Sequence, residues 1–271
     1  MRVRWVLALI GALAPVTVTG TEILSQGDVA LLSAAEIVFL GEIHDNPHHH
    51  KTQAALTERL DPSALVFEML TPAQARAVTP ENRSDANALE AALGWAASGW
   101  PDFAMYHPIF TAAPNARIYG AAVPREATRA AMGTGIAGAF GAQAPVYGLT
   151  DPLPPAQQAA REQLQHEAHC AALPEELLPT MVEIQRLRDA RLAQEALRAL
   201  DETGGPVIVI TGNGHARADW GAPSIALRAR HDLKVAVVGQ SEDGVPPQGR
   251  FDLLIDAPSV DRPDPCAAFS N

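Results

Sequence analysis

Short, nearly unbroken apolar runs alternate along this chain with longer amphipathic stretches. Ile37-Val-Phe-Leu40, Ala64-Leu-Val-Phe67, Arg117-Ile-Tyr119, Val207-Ile-Val-Ile-Thr211, Lys234-Val-Ala-Val-Val238 and Asp252-Leu-Leu-Ile255 read as strands. Most are continuous rather than alternating, as expected of strands covered on both faces. Between the first two, Asn46 is a good N-cap, Pro47 a good first-turn residue, and Ala54 to Leu60 continue a helix. A βαβ unit of this kind predicts a parallel sheet with right-handed crossovers. Further helical patterns run over 86–97, from Pro155 to His169 and from Pro174 to Leu200. In the last, Met181, Ile184, Leu187, Ala190 and Leu192 recur mostly at three- and four-residue spacing, which marks a buried face. The Gly- and Ala-rich stretch 130–141 fits either a loosely packed helix or a mobile flap, and the tail beyond Asp256, with Pro258, Pro263 and Pro265, reads as extended. The expected fold is α/β, a predominantly parallel sheet flanked by helices on both faces, in a single domain over 21–271.

The first 20 residues read differently. Arg2 and Arg4 precede an apolar stretch from Trp5 to Ala12, and small or turn-favouring residues follow from Pro15 to Gly20. That is the layout of a secretory signal peptide, with Val18 and Gly20 suiting the cleavage site. The apolar run is shorter than a spanning helix needs, so the mature protein is expected to be periplasmic or secreted, without stable membrane insertion. Cleavage removes two arginines and no acids, taking the formal charge from −11 to −13. Such a surface argues against nucleic acid as a partner. Cys170 and Cys266 are a disulfide candidate in an oxidising compartment, although two unpaired thiols fit the sequence as well.

Three strand ends carry ionisable groups. Phe39-Leu-Gly-Glu-Ile-His-Asp-Asn-Pro-His-His-His50 brings Glu42 and His44 to the carboxyl end of the first strand. Phe67-Glu68-Met69 does the same for Glu68, and Thr211-Gly-Asn-Gly-His215 for His215. In open parallel sheets ligands bind at that edge. His44, His215 and one of Glu42 or Glu68 make an acceptable set for a divalent metal such as zinc or manganese. They equally make a general acid/base pair around an organic ligand, or a group that only satisfies itself. His48, His49 and His50 lie on a capped helix, where successive residues point about 100° apart and cannot all face one metal. Trp100-Pro-Asp-Phe-Ala-Met-Tyr-His-Pro-Ile-Phe110 gathers aromatic side chains around Tyr106 and His107, both residue types that ligate haem iron. It reads equally as a hydrophobic loop packed on the core.

Together Leu40-Gly-Glu-Ile-His-Asp-Asn-Pro-His-His, Phe67-Glu-Met, Tyr106-His-Pro-Ile-Phe, Gln185-Arg-Leu-Arg-Asp-Ala190 and Gly212-Asn-Gly-His215 resemble the ChaN-like haem-binding uptake family. Its wider superfamily includes Tiki-type metalloproteases and erythromycin-esterase-like enzymes. The resemblance implies haem or a related tetrapyrrole in a pocket, a role in haem or iron uptake, and a homodimer around the ligand. It makes Tyr106 the first choice of axial ligand, with His44 or His107 as alternatives, and Arg188 and Arg217 partners for propionates or structural ion pairs. The family's lipoproteins carry a lipid-attachment cysteine that this chain lacks near its predicted cut, which implies a free periplasmic form. The superfamily also implies an alternative, a metal-dependent peptidase or esterase in which His44, Glu68 and His215 hold the metal and Glu42 acts as base. A non-catalytic module for some other small molecule is a third reading.

Overall fold

Water touches almost nothing on the central strands. In the computed structural model, which describes residues 24–264, 266 and 267, β1 (Ile37–Leu40), β2 (Ala64–Phe67) and β4 (Val207–Ile210) are buried at every position. With β3 (Arg117–Gly120), β5 (Val235–Glu242) and β6 (Leu253–Ala257) they form one six-stranded sheet in the order β3-β2-β4-β1-β5-β6. All five neighbouring pairs are parallel. Ile37, Phe39, Val66, Val209 and Val237 point to one face, and Val38, Leu40, Phe67, Ile210 and Val238 to the other. Each central strand must therefore be apolar on both sides, which is why its run is unbroken.

The helices divide accordingly. α1 (Gln26–Ser33), α2 (Pro47–Leu60), α3 (Pro72–Ala77), α4 (Pro80–Arg83), α5 (Ala86–Leu93) and α6 (Phe103–Ala112) come from the first half of the chain. Leu32, Leu56, Leu89 and Phe110, from four of them, cover one face. α7 (Arg125–Phe140), α8 (Pro155–Ala168), α9 (Leu178–Thr203), α10 (Asn213–Ala216) and α11 (Ala222–Ala229) follow. Phe140, Leu187, Leu197 and Ala226, from α7, α9 and α11, cover the other. The expected α/β fold with helices on both faces is the observed one.

The connection after β1 passes through α2 on one face, whereas that after β4 passes through α10 and α11 on the opposite face. β1 and β4 are neighbours. Their loops therefore diverge, and a crevice opens at the carboxyl edge between them, the position where open α/β sheets hold ligands.

Several expectations need adjustment. The segment around Tyr106 is not a loop: Asp102 Oδ1 accepts from Ala104 N at 2.9 Å and starts α6, whose buried face carries Phe103, Tyr106, Ile109 and Phe110. Pro108 inside the helix hid that spacing. The stretch 130–140 belongs to α7 and Gly141 caps it, with Gly135 at φ 76° forming a kink. β5 continues four residues beyond Val238 because Gln240 and Ser241, though polar, are hydrogen-bonded inside the fold. The proposed signal peptide lies outside the described residues. Among the described residues no helix is long and apolar enough to cross a membrane.

Cys170 and Cys266 are joined in a disulfide, which settles the choice left open by the sequence. It fastens the tail to the end of α8. The same tail is held by Arg262, which pairs with Asp45 at 2.7 Å and with Glu242 at 2.6 Å. Replacing both cysteines by serine should lower the stability of the oxidised protein by roughly 2–5 kcal/mol, because the bond closes a long loop. Guanidinium unfolding of the two proteins side by side checks this; coincident midpoints would show that the disulfide contributes no stability.

Candidate functional site

Glu42 leaves β1 and enters the protein interior, where it is 2% exposed. A carboxylate so placed needs donors and positive charge. Its Oε1 lies 2.6 Å from His44 Nδ1 and accepts from Tyr106 Oη at 2.9 Å. Its Oε2 lies 3.3 Å from His50 Nδ1. Burial alone would raise the Glu42 pKa, but the hydrogen bonds and charge of His44 and His50 hold it down at about 2. The reciprocal effect lifts His44: burial opposes its charge, yet Glu42, helped by Glu68 and Asp45, raises it to about 9.

His49 and His50 of α2 are structural, and their partners bear on their protonation. His50 Nε2 faces the His44 carbonyl at 2.8 Å, so it donates. Gln53 spends its Nε2 on the Leu40 carbonyl, which leaves Oε1, an acceptor, 3.3 Å from His50 Nδ1. Both ring nitrogens thus meet acceptors, which favours the imidazolium; Glu42 raises the His50 pKa against the opposing effect of burial. His49 is the reverse case. Its Nδ1 accepts from Ile43 N at 2.9 Å and its Nε2 donates to the Ser241 carbonyl at 3.2 Å, so it is neutral, and burial pushes its pKa down.

A second carboxylate–imidazole pair stands across the crevice. His215, on α10, places Nδ1 2.6 Å from Asp189 Oδ1 of α9, and its Nε2 3.6 Å from Glu68 Oε1. Burial works against its charge, but Glu68 and Asp189 raise its pKa. Burial also lifts Asp189, with His215 pulling it back. Glu68 is itself held by Thr211 Oγ1 at 2.6 Å and Gly212 N at 2.9 Å. The glycines make this closeness possible. A Cβ on Gly41 would run into Asn213 Oδ1, and one on Gly212 would lie 2.9 Å from His44 Nε2.

Between the pairs lies a cleft of about 530 Å³, a size typical of small-molecule sites. Ile43 and His44 form one side, Gly212 to His215 the floor, and Leu164 and Ala168 of α8 with Val182 and Gln185 of α9 the far wall. Arg161, Arg217 and Trp220 close it. Each His–carboxylate pair fixes its imidazole through Nδ1. His44 Nε2 has no hydrogen-bond partner among the described residues.

The residues singled out in the sequence are dispersed by this geometry. Glu42, His44, Glu68 and His215 do share the carboxyl edge. They do not converge as a metal site: among the described residues no group of three or more His, Cys, Asp or Glu side chains can hold a metal ion. Tyr106, first choice as an axial ligand, is 0% exposed and faces inward with its hydroxyl on Glu42. Burial and the negative charge of Glu42 push its phenol well above the ordinary value, against the phenolate that iron would require. His107 turns to the other side of α6, where Nε2 donates to the Arg83 carbonyl at 3.0 Å. Arg217 makes a bidentate pair with Asp219 at 2.7 and 2.6 Å and lies 3.6 Å over the Trp220 ring. Arg188 is half-buried on α9, and its charge bears on His215. Asp189 and Arg161 were missed. Asp189 had a signal in the sequence: it lies seven residues after Val182 and four before Ala193, both buried, so it is an acid on the apolar stripe of α9.

Removing the Tyr106 hydroxyl by Tyr106→Phe should cost about 1.5–3 kcal/mol, the usual worth of a hydrogen bond to a buried charge. Urea unfolding measures it, and a cost near zero would show that Glu42 does not depend on the phenol. The linked pKa values set a pH window for the ligand-free protein. Glu42, lowered from 4.5 to about 2, contributes fully above pH 4.5 and loses its contribution as pH falls through about 2. His44, raised from 6.5 to about 9, contributes fully below pH 6.5 and loses its contribution as pH rises through about 9. The stability of the pair is therefore greatest between pH 4.5 and 6.5. Denaturation midpoints across that range and beyond it on both sides should trace this dome; an alkaline limb that stays flat through pH 9 would contradict it.

The sequence matches the family described as haem-binding uptake, Tiki superfamily, ChaN over residues 29–225. None of the curated proteins compared with it matches. Among solved structures, ChaN of Campylobacter jejuni, described with cofacial heme binding, superposes with a TM-score of 0.63 at 22% identity, covering 82% of this chain and 88% of that one. The type III effector HopBA1 gives 0.46 at 15% identity over 86% and 92% of the two chains. An erythromycin esterase, EreC, gives 0.45 at 13% identity over 82% and 72%. The first of these shows a shared fold. The matched span runs from α1 into α11 and takes in Glu42, His44, Glu68, Asp189 and His215. This chain belongs to the ChaN haem-binding uptake family of the Tiki superfamily.

Proposed function

We propose that this protein is an exported haem-binding protein of haem or iron uptake, and that the cleft between β1 and β4 takes the tetrapyrrole. The observation that carries the reading is His44. Its ring is fixed by Glu42 through Nδ1, its Nε2 is open, and its side chain is 32% exposed. An imidazole whose other nitrogen is held by a carboxylate is the common form of a metal-bound histidine. The surroundings fit a flat apolar ligand: Trp100 lies 4.8 Å from the His44 ring, and Leu164, Val182 and Trp220 line the walls. When bound, haem supplies an iron that takes one further nitrogen or oxygen donor.

This chain's own groups do the rest. His44 Nε2 releases its proton to become a donor, and Glu42 keeps the proton on Nδ1 and so holds the ring's orientation. Tyr106 acts behind Glu42 as a positioning residue. Cys170–Cys266 supports an oxidising compartment, in keeping with the signal-like first 20 residues. The relative from Campylobacter jejuni is described as binding heme cofacially, and we extend haem binding, with pairing of two copies around the ligand, to this chain.

Titration with ferric haem, followed in the Soret region, tests the assignment. The wild type should saturate at a defined stoichiometry, and His44→Ala should alter the spectrum and weaken binding. Glu42→Gln should lower affinity by roughly 10–100-fold, the usual effect of losing the carboxylate behind a ligating histidine. Tyr106→Phe should leave the spectrum close to wild type. Uptake that never saturates, or that ignores His44→Ala, would overturn the assignment. Sedimentation with and without haem tests the pairing.

A further inference from the structure

Among the described residues four arginines are buried, and in three of them the guanidinium makes two or more bonds of 3.0 Å or less to protein acceptors. Arg83 donates through both terminal nitrogens to the carbonyls of Ala113, Pro114 and Ala116, although its Nε, like that of Arg161, has no partner. Arg186 pairs with Glu183 and donates to the carbonyls of Gly148 and Asp151. Arg217 is clamped by Asp219. Arg161 is the exception. It is 9% exposed, no carboxylate lies within ion-pair distance of it among the described residues, and its Nε has no partner. Its one contact to a protein acceptor is a long bond from Nη2 to the Trp220 carbonyl at 3.3 Å, and its guanidinium stands 5.1 Å from the Trp220 ring centre.

A buried guanidinium without a counter-charge is costly. Nearby acids offset this only in part: Asp189 and Asp219 favour the charge from a distance, but Asp189 is committed to His215 and Asp219 to Arg217. Arg161 also lines the cleft, on the α8 wall rather than the β1 side that carries His44. We propose that Arg161 is the anion-binding residue of the cleft, pairing with a carboxylate of the bound ligand while Trp220 and Leu164 meet its apolar body. Arginine suits this role because its planar fork meets a carboxylate bidentately. Of the two arginines singled out in the sequence for ligand carboxylates, Arg217 has its fork filled by Asp219, and Arg188 is not on the cleft wall. That the carboxylate is a tetrapyrrole propionate rests on the reading of the preceding section; that the cleft holds an anion at Arg161 does not.

The experiment compares ferric haem with its dimethyl ester, which caps both carboxylates, on the full chain as wild type, Arg161→Gln and Arg161→Lys. Circular dichroism confirms the fold of each variant. Capping should weaken wild-type binding roughly tenfold or more, as expected for a charge-assisted pair. Arg161→Gln should weaken haem binding to a similar degree and abolish the difference between acid and ester, because two changes that remove one contact do not add. Arg161→Lys, which keeps the charge and loses the fork, should fall between. An acid–ester difference that survives Arg161→Gln, or equal affinity of acid and ester for the wild type, would overturn the proposal; the second comparison decides even if the variants do not fold. If the wild type binds neither compound, the tetrapyrrole reading falls, and Arg161 is judged with 1-naphthoate against its neutral amide. A wild-type preference for naphthoate that Arg161→Gln removes upholds the anion site, and no preference ends it.

Discussion

Glu42 is a carboxylate that water scarcely reaches, and much of the carboxyl edge is arranged to answer it. His50 brings positive charge from α2, Tyr106 brings a hydroxyl from α6, and His44 returns from the loop that Glu42 itself begins. These three come from separate elements, so α2 and α6 must dock in one register for the group to close. The packing agrees: the His50 and Tyr106 rings lie 4.1 Å apart, and Trp95 packs against Tyr106 in a tilted contact at 4.9 Å. Polar satisfaction and apolar packing select the same arrangement, and consistency of that kind is how a sequence specifies one structure.

The two imidazole–carboxylate pairs are alike in form and different in origin. His44 takes its acid from two residues back on the same loop, whereas His215 takes Asp189 from a helix that lies earlier in the chain. Charge balances locally, with histidine cations set against Glu42, Glu68 and Asp189. Against this balanced background Arg161 stands out. The protein as a whole is strongly acidic, at −11, so long-range attraction would not draw an anion to the cleft; recognition of one would come from contacts at short range.

The central strands were legible because burial on both faces writes itself as unbroken apolar runs, and the edge strands β3 and β6 were read from shorter apolar stretches. Glu42, His44, Glu68 and His215 were legible for a related reason: each follows such a run, two of them beside glycines that let the loops approach. What a side chain does at the edge was less accessible. Tyr106 was recognisable as chemically special, yet whether its phenol faces ligand or Glu42 depends on how α6 docks, and no local pattern records that. Arg161 looks like any arginine on an amphipathic helix until its missing partner is seen in three dimensions. The disulfide is the plainest case, since two cysteines 96 residues apart carry no geometry of their own.

The strand order has a consequence for how the molecule is made. β1 is among the first elements synthesised, but it sits at the middle of the sheet, where Ile37 pairs with Val207 on one side and Val235 on the other. Neither neighbour exists until most of the chain has left the ribosome. The loop bearing Glu42 and His44 also waits for Asn213, whose N–H donates to the Glu42 carbonyl, and for Gln240 and Arg262. Sheets built from such distant pairings close slowly. The sheet cannot lock ahead of its last third, so the chain must hold its earliest strand unpaired for most of its own synthesis.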